Sequence, residues 1–116
     1  MQDFRKLKVW QKSQALCTRL DRFEKRIALE KPSLADQIDR AAGSIPANIS
    51  EGCGRETRPD FRRFLTMAIG SASELENHLL RAVNARMITQ SESVPLIEST
   101  IEIRKMLHGL RKSLGG

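Results

Sequence analysis

Residues 57–87 read TRPDFRRFLTMAIGSASELENHLLRAVNARM, and within them Phe61, Leu65, Ala68, Ala72, Leu75, Leu79 and Ala82 recur at spacings of 4, 3, 4, 3, 4 and 3. That rhythm draws one apolar seam down a helix for about three heptads, as in helices that pack at a shallow angle in a bundle. Thr57, with Pro59 in the first turn and Asp60 three residues on, predicts the start; the pattern fades near Met87. Leucine at the middle of such a seam belongs in the core, so Leu75 is expected to be buried.

The neighbouring blocks follow the same logic. Downstream, Thr89 and Glu92 form a capping-box pair, after which Leu96, Thr100, Ile103, Leu107, Leu110 and Leu114 repeat the seam. A second apolar line, Val94, Ile97 and Ile101, lies beside it. Upstream, Ser33 with Asp36 is the expected N-cap of a helix ending at Gly52-Cys53-Gly54. The first block is apolar over a wide arc through Val9, Trp10, Leu16, Cys17, Leu20, Phe23, Ile27 and Ala28. Four helices are predicted, over about 3–30, 34–52, 58–87 and 90–114, in one all-α domain spanning 1–116; no two-residue alternation indicates a strand. These helices carry more apolar surface than one seam needs, which points to a second copy of the chain as partner. Pro46 should kink the second helix. Gly70, inside the third, costs helix stability that close approach of a neighbouring helix would offset.

A chain of 116 residues has room for one core. Twenty Lys and Arg against fourteen Asp and Glu leave +6, which suits an acidic partner such as RNA or DNA. Aromatic residues are 4% and Tyr is absent, which argues against readers that stack bases on rings. Apolar runs of three, such as Met67-Ala68-Ile69, are far short of the roughly 20 residues of a membrane span or the roughly 7–15 of a signal peptide, so a cytoplasmic protein with no membrane contact is expected. Cys17 and Cys53 make no disulfide framework and, with His78 and His108 far away in sequence, no metal-ligand spacing. Neither a metal nor a cofactor is expected.

Charge is uneven along the chain, with nine cations against four acids in residues 1–31. At about 100° per residue, Arg5, Lys8, Lys12, Arg19, Arg22 and Arg26 share an arc of about 100° on the first helix, and Asp21 and Glu24 fall outside it. Such a stripe has two readings: a row of phosphate contacts, or a solvated face. Glu51 and Glu74 invite comparison with a paired-carboxylate site. No nucleophile–base grouping, phosphate loop or H-E-x-x-H accompanies them, and pairing of Arg40 or Arg55 with Glu51 or Glu74 to set helix register is the preferred reading. No catalytic residue is expected and the chain reads as a non-enzyme.

The run Arg40-Ala41-Ala42-Gly43-Ser44-Ile45-Pro46-Ala47-Asn48-Ile49-Ser50-Glu51-Gly52-Cys53-Gly54-Arg55 resembles the signature of the four helix bundle protein family, which includes proteins encoded within intervening sequences of bacterial 23S ribosomal RNA genes. Phe61 to Leu65, Ala68 to Ala72, Glu74-Leu75-Glu76, and the opening Phe4, Leu7 and Val9 to Lys12 match in the same order. The resemblance implies an antiparallel up-and-down four-helix bundle in a homopentameric ring. It implies structural or interface roles for Arg40, Pro46, Asn48, Glu51, Gly52, Arg55, Gly70 and Glu74. A related branch, the accessory protein of diversity-generating retroelements, implies a reverse transcriptase or other protein as partner alongside nucleic acid. The function expected is nucleic-acid contact through a basic surface, the alternative a protein–protein scaffold. Asp39, where many members are basic, and the glycine-free end Asn84-Ala85-Arg86-Met87 depart from the pattern.

Overall fold

A computed structural model describes residues 2–115. A 3₁₀ turn, Phe4–Lys6, precedes four helices: α1 Lys8–Ala28, α2 Pro32–Cys53, α3 Arg58–Asn84 and α4 Gln90–Ser113. No strand occurs among the described residues. The connections of three, four and five residues leave each helix only the option of folding back on the previous one, and α1 closes the circle against α4. The bundle measures 44 × 20 × 19 Å.

All seven seam residues of α3 are buried, Leu75 completely. They meet Leu16, Leu20 and Ile27 of α1, Ile38, Ile45 and Ile49 of α2, and Ile103 and Leu107 of α4 in one core. Thr100 is also fully buried, its hydroxyl donating to the Leu96 carbonyl 2.8 Å away, so the polar group in the α4 seam is satisfied. The extra apolar residues divide. Trp10, Cys17 and Ile97 are half-buried around the core, whereas Leu29, Met67, Leu80 and Val94 remain exposed.

Several expectations about ends and glycines change. The first helix is shorter than 3–30: Asp3 caps the 3₁₀ turn by accepting from the Arg5 N–H, and Leu7 is extended, so α1 begins at Lys8. Ser33 does not cap α2. Pro32 occupies the first helical turn, where its fixed φ and missing N–H cost nothing, so Lys31 is the N-cap, without a side-chain bond. Thr57 and the Thr89–Glu92 box cap α3 and α4 as read. The C-terminus of α3 comes at Asn84 rather than Met87. Arg86 takes φ +60°, the Met87 N–H reaches the Ala82 carbonyl and the Arg86 N–H that of Val83, a Schellman motif built without glycine. α2 runs unbroken through the buried Pro46. Gly70 is exposed, and a Cβ there would meet nothing within 4 Å, because the seam at Ala68 and Ala72 turns position 70 outward. The close approach occurs at Gly52 instead, where a Cβ would lie 2.7 Å from Cδ1 of buried Phe61.

Candidate nucleic-acid interface

The basic stripe on α1 is sorted by its neighbour α4. Arg5 leaves it altogether: it belongs to the 3₁₀ turn, with its guanidinium 3.0 Å from Asp3. Lys12 pairs with Glu102 at 3.0 Å and Arg26 with Glu92 at 2.7 Å, while Arg19 donates to the Ser99 hydroxyl at 2.9 Å. Arg26 and the Thr89 cap hold the Glu92 carboxyl down to about 2. Absence of acid therefore holds along the stripe on α1 and fails across the α1/α4 groove, because the matching carboxylates lie 90 residues from Lys12 and 66 from Arg26 in sequence. Lys8 and Arg22 make no ion pair among the described residues; Arg22 lies over the Phe23 ring at 4.6 Å.

The groove on the other side of α4 is different. Arg62 and Arg63 of α3 face His108, Arg111 and Lys112 of α4 around a concavity of about 570 Å³, with Thr66 on its wall and no carboxylate in its lining. Arg62 donates to the carbonyls of Leu114 and Gly115 at 2.9 and 3.1 Å, and Arg111 to Thr66 Oγ1 at 3.1 Å. A hydrogen bond of 3.0 Å joins Arg111 to His108 Nδ1. Asp60 holds Arg63 from outside, at 2.9 Å. Reading along the chain misses this cluster, because its two halves are separated by over forty residues in which four cations and five acids nearly cancel; the pairs Arg62-Arg63 and Arg111-Lys112 were the available signal.

Folding also segregates net charge along the bundle. The half made of residues 2–17, 43–70 and 102–115 carries twelve Lys and Arg against five Asp and Glu, or +7; the half made of 18–42 and 71–101 carries eight against nine, or −1. The contacts of Arg62 with the end of α4 and of Arg26 with its beginning place these segments at opposite ends.

The signature residues form two groups. Near the α2–α3 turn, Arg55 joins Glu51 at 3.1 Å and Asp60 at 3.7 Å and lies over the Phe64 ring, directly beside the Gly52–Phe61 contact. Arg55–Glu51 is one of the pairings expected; Arg40 instead takes Asp36, at 2.9 Å, one helical turn away. Asn48 donates to the Ser44 carbonyl, and the Ser44 and Ser71 hydroxyls bond α2 to α3. Glu74 lies on the exposed side near His78, 3.5 Å away. Since Ser44 faces Ser71 and Gly52 faces Phe61, Glu51 and Glu74 are offset by about ten residues, roughly 15 Å along the helices, and form no carboxylate pair.

One cluster of acids was not foreseen. Oxygen atoms of Asp21, Glu24 and Asp39 come within 4.8 Å of one another between α1 and α2, close enough to share a proton or hold a cation. Burial first, and then Asp39 and Asp21, push the Glu24 carboxyl up to about 8. Burial likewise raises the Cys17 thiol to about 11, so it is no poised nucleophile. No helix among the described residues is long and apolar enough to cross a membrane.

Fold and surface together define a small four-helix bundle with a basic end. The sequence model of the 23S rRNA-intervening sequence protein family matches residues 5–109, and the chain belongs to that family. It is also similar to a crystallised protein of unknown function from the S23 ribosomal protein family of Bacteroides thetaiotaomicron VPI-5482, at 29% identity and a TM-score of 0.84 over 90% of this chain and 98% of that one. No curated protein matches the chain.

Proposed function

We propose that this protein is a non-enzymatic homo-oligomer, a pentameric ring, that contacts RNA or DNA through the basic half of its bundle, in the setting of 23S rRNA intervening sequences. The observation that carries this reading is the +7 half set against a −1 half. A phosphate lattice attracts such a surface without base reading, and the shortage of aromatic side chains favours backbone contact over stacking. The family supplies the RNA context. Reduced Cys17 and Cys53 suit the cytoplasm. Leu29, Met67, Leu80 and Val94 leave apolar side chains exposed on the single bundle, which contacts with further copies would cover.

A docking scaffold for another protein, such as a reverse transcriptase, is the second reading. It is favoured by a groove of about 390 Å³ lined by Leu80, Val83, Val94 and Ile97. Native mass spectrometry with a structured RNA at 50 and 200 mM salt separates the two. The nucleic-acid reading expects a pentamer that gains RNA at low salt and loses it several-fold for each phosphate contact as salt rises. A pentamer indifferent to RNA at both salts overturns it in favour of the scaffold, and a monomer overturns the ring.

A further inference from the structure

We infer that the α3/α4 groove is a phosphate seat in which Arg62, Arg63, Arg111 and Lys112 take closely spaced phosphate oxygens of a nucleic-acid strand, either a terminal phosphate or adjacent backbone phosphates. The inference deepens the function proposed above and rests on it for the identity of the ligand. Four cations converge on one concavity of about 570 Å³ without a carboxylate in its lining. Like charges brought together repel, and nothing in the core requires them there: Arg63 and Lys112 are exposed, and Arg62 and Arg111 lie at the rim. The α1/α4 groove shows what the same chain does when cations are only structural, since Glu92 and Glu102 neutralise Arg26 and Lys12 there. In the α3/α4 groove Asp60 answers Arg63 from outside the lining, and an anion is the missing counterpart of Arg62, Arg111 and Lys112.

The guanidinium groups are also held ready. Arg62 spends one of its terminal nitrogens on the Leu114 and Gly115 carbonyls, and Arg111 is fixed by Thr66 and His108, so each keeps further N–H donors for an oxyanion. The volume lies within the range of about 300–1,000 Å³ typical of small-ligand sites, enough for one or two phosphates but not for a duplex. The mixed-charge α1/α4 groove also encloses a concavity, of about 500 Å³, but Asp21 and Glu92 stand in its lining, where the α3/α4 groove has no carboxylate.

The test uses the full chain, with Arg62→Gln combined with Arg111→Gln, Lys112→Glu alone, and Arg19→Gln as the control in the matched groove. Fluorescence anisotropy with a labelled 12-nucleotide RNA, with and without a 5′-phosphate, is read across salt. The double variant is expected to bind at least about tenfold more weakly, with its salt slope reduced by roughly 1.5–2, while Arg19→Gln changes little. Greater loss for the phosphorylated strand assigns the seat to a strand end; equal loss assigns it to the backbone. If Arg62→Gln with Arg111→Gln lowers the melting temperature, the exposed Lys112→Glu carries the decision, with a several-fold loss expected. RNA bound equally by wild type and all variants overturns the seat and leaves the general function standing. If the wild type binds no RNA, that function fails, and titration of wild type with pyrophosphate decides the seat: amide NMR shifts clustered at Arg62, Thr66, His108 and Arg111 support it, and their absence overturns it.

Discussion

The two grooves beside α4 begin with similar material and end differently. Along α1, five cations at helical spacing look like an exposed basic track, yet α4 answers three of them with Glu102, Ser99 and Glu92. On the other side, α3 meets α4 with Arg62 and Arg63 against Arg111 and Lys112, and no acid lines the space between. Charge on one helix is therefore a poor guide to the field it presents. What decides is the residue that antiparallel packing brings opposite. Ion pairs this exposed contribute little to stability, so the matched groove orients α1 on α4, whereas in the other groove only Arg63 has a carboxylate partner, Asp60, and that from outside the lining.

Both grooves rest on the same core, and the largest effect should abolish the contrast altogether. Leu75→Ala removes a completely buried side chain from the α3 seam and is expected to cost about 2–5 kcal/mol by chemical denaturation. A cost under about 0.5 kcal/mol would mean that the seam faces elsewhere. At the basic end, Gly52→Ala should cost about 1–3 kcal/mol, because the new methyl group would push into the Phe61 ring and against Phe64. Gly70→Ala, in open space on the same helix pair, should gain about 0.5–1 kcal/mol. A loss at Gly70 would reveal a neighbouring copy packed there.

The contrast between grooves can be erased by chemistry as well. Glu92→Gln with Glu102→Gln keeps both side-chain shapes and an amide for the capping box, but unmatches Arg26 and Lys12. RNA affinity at low salt should rise on the order of tenfold, measured by anisotropy. Unchanged affinity would place the bound strand entirely on the α3 side.

Two smaller effects belong to the neutral half. The Glu24 carboxyl titrates at about 8 in the folded chain, above its ordinary value of 4.5, so folding takes up a proton between those limits. Its contribution is complete below about pH 4.5 and lost as pH rises through 8, the reverse of an ion-paired acid such as Glu92. For a carboxyl that remains partly open to solvent the effect is on the order of 1 kcal/mol. Thermal melts should show a fall in stability from pH 5 to pH 8.5 that Glu24→Gln flattens. Finally, Arg86→Gly should relieve the left-handed backbone at φ +60° and gain up to about 1 kcal/mol in thermal melts.

Much of the bundle was legible from residue order. The 4-3 rhythm of Phe61 to Ala82 identifies the buried face because helical geometry repeats locally, and Thr57 and Thr89 mark starts because a cap involves only the next three residues. Where two local signals competed, as at Pro32 and Ser33, the stiffer backbone constraint won. The basic stripe was legible as a pattern on α1 but not as a surface, since no rule within α1 names Glu92 or Glu102. The close glycine was misplaced for the same reason: Gly70 and Gly52 look alike in sequence, and only the rings of α3 distinguish them.

Sequence alone thus determined the four helices, their buried stripes and a family signature, all of which depend on spacings shorter than two turns or on ordered motifs. Tertiary structure alone decided which charges meet. Antiparallel folding collected the N-terminal segment, the α2–α3 turn and the end of α4 into a +7 half, and drew Asp21, Glu24 and Asp39 together in the other. Coulomb energy depends on distance in space, and a chain that reverses three times makes distance in sequence a different quantity.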